Sequence, residues 1–159
     1  MAEYELSFER LLDASPAELW RTWTDAELIK QWWCPRPYTT PECVIELRPG
    51  GRFMTLMKGP EFEFRGEACI LEVVPEVRIV WTSALLPGFA PRVFADDGSD
   101  GFPFTAIHSF ADAGEGRTRY TATAIHKDAV DRDKHGQMGF EGGWGTCAEQ
   151  MAEVARSLR

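Results

Sequence analysis

Long apolar runs are missing from this chain, and no stretch approaches the roughly 20 residues a helix needs to span a bilayer. The start, Met1-Ala2-Glu3-Tyr4-Glu5, has no basic segment followed by an apolar run, so it does not read as a secretory leader. Basic charge is scarce: 17 Lys and Arg stand against 25 Asp and Glu, the net charge is −8, and no Lys/Arg run exceeds two residues. Nucleic-acid affinity comes largely from cations that neutralise phosphates. Nucleic acid is therefore not an expected partner, nor is an anionic membrane surface, and membrane insertion is not expected either.

Several chemical signatures are absent as well. The four cysteines, Cys34, Cys43, Cys69 and Cys147, are widely spaced with no Cys-x-x-Cys pair, which points to reduced thiols in a cytoplasmic protein. Each reads as a small buried hydrophobe. No Gly-x-Ser-x-Gly nucleophile motif occurs. Gly136, Gly139, Gly142, Gly143 and Gly145 lack the Gly-Lys-Ser/Thr of a phosphate loop and read as a flexible lead into a helix. The Asp96–Gly101 string is similar to a calcium loop but lacks the distal Glu, so it reads as a solvated acidic turn. No His/Cys/Asp/Glu spacing marks a metal centre, and neither metal nor cofactor is expected.

What the chain does have is aromatic mass: six Trp and ten Phe, more than a core of this size needs. At 159 residues it is long enough for one substantial core, and with no repeat or linker it reads as a single domain over 1–159. Residues 3–12 alternate Tyr4, Leu6 and Phe8 with polar residues, the period of a half-buried strand. Ser15-Pro16 with Glu18 forms a capping box for a helix carrying Leu19, Trp20 and Trp23. A second cap at Thr24 or Asp25 starts a short helix with Leu28, Ile29, Trp32 and Trp33, which Pro35 and Pro37 end.

Strands are expected at 42–48, 52–58, 61–74, 77–83, 104–112 and 117–127, the last two as a hairpin. Gly66 falls mid-strand on the apolar face and suggests a bend or bulge. The irregular stretch 86–103 reads either as a lid over a site or as a surface loop tucked onto the core. A short polar helix at 128–135 precedes a long one, in which Phe140, Trp144, Cys147, Met151, Val154 and Leu158 form one apolar stripe. Grouped strands with a terminal helix give the α+β class, a curved antiparallel sheet around that helix. Exposed sheet edges leave a homodimer open.

That order, with several local strings, resembles the START-like (SRPBCC) superfamily of helix-grip, Bet v-like folds. The similar branch is the one related to the C-terminal domain of the heat-shock protein 90 ATPase activator. The strings are Phe8-Glu9-Arg10, then Ala14-Ser15-Pro16-Ala17-Glu18-Leu19-Trp20, and Trp23-Thr24-Asp25-Ala26-Glu27-Leu28 running to Trp32-Trp33. They continue with Leu47-Arg48-Pro49-Gly50-Gly51-Arg52-Phe53, Gly66-Glu67, Val77-Arg78-Ile79-Val80-Trp81-Thr82 and Glu141-Gly142-Gly143-Trp144. The resemblance covers essentially the whole chain. It implies the fold and a range of roles, from lipid carriage to cyclase chemistry to co-chaperone activity, without a shared catalytic motif.

Parity places Trp33, Phe53, Phe62, Phe64, Trp81, Phe104, Trp144 and Met151 in the space between sheet and helix, with His108 in step with Phe104 and Ala106. Such a set suits a small hydrophobic ligand, aromatic or lipid-like, with a few polar groups to orient it; a solid core is the alternative. His108 and Arg52 are the polar candidates, although Arg52 alternates away from Phe53. A second function is a cyclase or hydrolase with His108 as acid/base, against a purely structural histidine. A third, implied by the resemblance, is a module that acts on a chaperone partner. His126 reads as structural and His135 as solvated.

Overall fold

In the computed structural model, which describes residues 3–159, the amphipathic segments fold where their periods place them. Met1 and Ala2, part of the segment read as lacking a leader, lie outside the described residues. Strand β1 (Glu5–Leu12) is followed by two short helices, α1 (Pro16–Arg21) and α2 (Ala26–Ile29). Ser15 and Glu18 close the expected capping box: Glu18 N–H donates to Ser15 Oγ, and Ser15 N–H donates to Glu18 Oε1 at 2.9 Å. Asp25, not Thr24, caps α2 through Oδ1.

Next come β2 (Thr39–Ile45), β3 (Arg52–Gly59), β4 (Phe62–Val74) and β5 (Arg78–Thr82). The segment expected to be irregular holds a two-residue-strand hairpin, β6 (Leu85–Leu86) and β7 (Ala90–Pro91), around a 3-10 turn. The long strands β8 (Phe104–Gly114) and β9 (Arg117–His126) form the expected hairpin, and α3 (Ala129–Gln137) and α4 (Phe140–Ser157) complete the chain.

Seven strands make one antiparallel sheet in the order β1-β9-β8-β5-β4-β3-β2, so β1 and β2 are its edges. The expected bend at Gly66 is displaced. Gly66 pairs regularly with Thr55, and the irregularity lies between Ile70 and Glu72. The extra residue falls where β4 takes up β5 as its second neighbour. It resets the two-residue period, so that Ile70 and Val73, three apart, both turn to the core.

Helix α4 carries the stripe that closes the fold. Phe140, Ala148, Met151, Ala152, Val154 and Ala155 are buried, and α4 lies closely against β1, α1 and α3. The far strands β3–β5 curl over the other side of the helix. There α4 offers Gly139, Gly143 and Trp144 instead of a continuous row of large side chains. The core proper gathers Leu12, Leu19, Trp23, Ile29, Ile70, Ile79 and Met151, all essentially inaccessible. Among the described residues, no helix is long and apolar enough to cross a membrane.

Glycines tie local geometry to stability at two places. The Pro49-Gly50-Gly51 turn holds Gly50 at φ +81°, and a Cβ built on Gly51 would collide with the Glu46 carbonyl oxygen. In the first turn of α4, a Cβ on Gly142 meets nothing within 4 Å. We predict opposite signs for the two alanine substitutions in urea denaturation. Gly51→Ala destabilises by about 2–3 kcal/mol, because backbone must move, whereas Gly142→Ala stabilises by about 0.5–1 kcal/mol through helix propensity.

Candidate functional site: an aromatic cavity beneath the last helix

Between the concave sheet and the N-terminal half of α4 lies a cavity of about 650 Å³. Trp33, Phe53, Phe64, Trp81, Phe104, His108 and Trp144 all line it, Trp33 from the turns that follow α2, which ends at Ile29, and the others from the faces that parity assigns. Met151 does not. It is fully buried, one turn beyond Cys147 and Ala148, where α4 is already seated against the core, and it belongs to the solid half of the interior. Arg52 is also absent from the lining. Its guanidinium is on the opposite face, held by Glu67 with Nε to Oε1 at 2.6 Å. Phe62 lies at the exposed rim, edge-on to Tyr38.

The floor of the cavity is a hydrogen-bonded chain of rings. Trp81 Nε1–H donates to His108 Nε2 at 3.0 Å, so that nitrogen carries no proton. The proton therefore sits on Nδ1, which donates to the Tyr120 hydroxyl oxygen at 2.7 Å. Trp144 from α4 lies nearly parallel to the His108 ring, with 5.8 Å between centroids and 14° between planes. Burial holds the His108 pKa down at about 3 and pushes the Tyr120 phenol upward. With one nitrogen occupied as acceptor, the other as donor, and the ring neutral, His108 has no free site for proton transfer to a ligand near neutral pH. Its role here is to fix Trp81 and Tyr120.

A second pair of histidines contradicts the expectation for His135. Asp128 caps α3 by accepting from Asp131 N–H, and the helix turns Asp131 and His135, one turn apart, toward the sheet. His135 is thus buried, not solvated. The Tyr4 carbonyl must accept from His126 Nδ1–H, at 2.8 Å, which leaves His126 Nε2 to accept from His135 Nδ1–H, also at 2.8 Å. His135 Nε2 is then an unprotonated acceptor with no hydrogen-bond partner among the described residues, on a ring that lines the cavity beside Phe104 and Trp144. Burial, and secondarily repulsion by His126, lowers its pKa to about 4.

Sequence periodicity missed other contributors. The 86–103 segment supplies Arg92, Asp100, Gly101 and Phe102 to the wall, as a lid would, although it carries little regular structure. No period exists there to read, and only the scattered apolar residues signalled it. Its Asp97 and Asp100 carboxylates accept from backbone N–H groups of Ser99 and Ala95 within the turn. Cys147 lines the cavity with its thiol on the Trp33 carbonyl at 3.0 Å, and burial pushes its pKa up to about 12, so it is no nucleophile. All four cysteines are free thiols. No cluster of three or more metal-ligating side chains occurs among the described residues.

A bent seven-stranded antiparallel sheet closed on a C-terminal helix, with an aromatic cavity between them, defines the START-like helix-grip class. The chain belongs to the family described as Activator of Hsp90 ATPase homolog 1-like protein, whose pattern it matches over residues 13–156. A crystal structure of a protein from Nitrosomonas europaea is similar, with 37% identity and a TM-score of 0.88, covering 99% of this chain and 97% of that one. Two further proteins share the fold at lower identity. One from Rhodobacter sphaeroides is 19% identical with a TM-score of 0.79, covering 98% and 95% of the two chains. The other, from Arthrobacter aurescens, is 23% identical with a TM-score of 0.76, covering 97% and 87%. No curated protein matches the chain.

The two depressed histidines set a pH dependence. An imidazole whose folded pKa lies below its ordinary 6.5 takes up its proton more readily in the unfolded chain. The stability they contribute is therefore complete above pH 6.5 and is lost as pH falls toward 4 and then 3. Chemical denaturation at pH 7.5 and 4.5 should differ by about 2 kcal/mol per ring. His108→Gln should flatten that slope by close to half.

Proposed function

We propose that the protein binds a small hydrophobic molecule, aromatic or lipid-like, in the cavity between the sheet and α4. The observation that carries this is the space itself. Interiors are packed to crystal-like density with few voids larger than a water molecule, and about 650 Å³ lined mainly by aromatic rings falls within the range of small-molecule sites. Polar groups are few and convergent: Arg92, the acceptor nitrogen of His135, and the Ser83 and Thr55 hydroxyls. The family's range of roles is compatible with ligand carriage. The geometry takes His108 out of the acid/base role that a cyclase or hydrolase reading would give it, and a chaperone-directed role stands on the family description alone.

Trp32, Trp33, Trp81 and Trp144 line the cavity, so their emission reports its occupancy. Titration with fatty acids, flavonoids and polyketide-like aromatics should give saturable quenching with at least one class, and native mass spectrometry should show one-to-one complexes. Gly143 lines the cavity, and a Cβ there meets nothing within 4 Å. Gly143→Leu should fill part of the space, weakening binding by about tenfold or more with the far-UV spectrum unchanged. Emission unmoved across the whole panel would sink the proposal.

A further inference from the structure

Arg92 is the only cationic side chain lining the cavity among the described residues, and it has no carboxylate within ion-pair distance. A guanidinium has five N–H donors. Nη1 donates to the Glu67 carbonyl at 2.8 Å and to the Ser83 carbonyl at 3.2 Å, and Nη2 donates to the Asp100 carbonyl at 3.3 Å. Two of these bonds tie the 86–103 segment to the middle of β4 and to the residue after β5, and the third closes within the segment. The Phe94 ring covers one face, 4.3 Å from Cζ. Nε–H and one Nη2 hydrogen have no acceptor among the described residues. Both are open to a carboxylate, which a guanidinium takes through charge-assisted hydrogen bonds.

The carboxylates of the two acidic lining residues do not satisfy those donors. Glu67 is committed to Arg52, and the Asp100 carboxylate accepts twice from Ala95 N–H, at 2.9 and 3.1 Å. A half-buried guanidinium bonded only to neutral carbonyls keeps its full charge uncompensated beside an apolar space. We propose that the cavity selects a flat apolar molecule bearing a carboxylate, with the carboxylate on the free Nε and Nη2 donors of Arg92 and the ring system against Phe104, Trp81 and Trp144. The proposal rests on the cavity being a ligand site, and it adds the ligand's charge and its orientation. Phe102 and Phe104, which lead from Asp100 toward His135, line the path between the charged end and the neutral acceptor end.

The test uses a charged and a neutral probe of one shape, 2-naphthoate and 2-naphthamide, titrated against the full chain at pH 7.5 by calorimetry and tryptophan quenching. Wild type should bind the carboxylate about tenfold tighter than the amide. Arg92→Gln should bring that ratio to about one, and saturable binding of the amide shows that the cavity has survived the substitution. Arg92→Lys keeps the charge but not the fork and should retain part of the preference. Equal affinity for both probes in wild type, or a preference unchanged in Arg92→Gln, overturns the assignment and leaves the cavity as a ligand site. If neither probe binds, this assignment falls, and the ligand-site proposal stands or falls on the wider panel.

Discussion

The burial of α4 on one side only is the constraint from which the rest follows. A helix held in the curl of a sheet has to shed its apolar stripe from water, and here that stripe is dense only in the C-terminal half. Met151, Ala152, Val154 and Ala155 close against β1, α1 and the core with little left accessible. The N-terminal half supplies glycines, with Phe140 and Trp144 as its only large rings. The far strands bend over that half and meet too little side-chain volume to fill the space. The cavity is thus a consequence of where α4 is thin, and the bulge after Ile70 helps the sheet to reach over it.

A cavity walled by aromatics needs its rings held, because an unfilled apolar space invites collapse. Hydrogen bonds to ring heteroatoms provide that rigidity. Trp81, His108 and Tyr120 form one chain across the β5, β8 and β9 strands, and His126 and His135 bind α3 to β9 and to the backbone at Tyr4. Both networks leave neutral imidazoles in buried positions, so the same bonds that hold the walls make the fold acid-sensitive. Stability and site architecture therefore share residues, and His108 belongs to the scaffold of the cavity more than to any reaction within it.

The polar character of the site depends on the least regular part of the chain. Arg92 reaches the cavity because its three backbone acceptors come from β4, the end of β5 and the turn at Asp100. An arginine in a Pro- and Gly-rich stretch has no periodicity to say which way it faces, and its partners are 25, 9 and 8 residues away. The polar string around His135 hides the buried Asp131–His135 face of α3, so its sequence context points to solvent.

By itself, the sequence determined the α+β class, the seven strands, the helix cap at Ser15, and the parity of Phe53, Phe64, Trp81, Phe104, His108 and Trp144. These follow from two- and 3.6-residue periods and from capping chemistry, which act over a few residues and are written locally. Tertiary structure alone decided that Met151 is core and Trp144 is wall, that β4 bulges after Ile70 and not at Gly66, and that Arg92 faces the interior. It also decided which hydrogen-bond partners each imidazole finds. Every one of these depends on which distant residue supplies the neighbouring atom, and no local period encodes that.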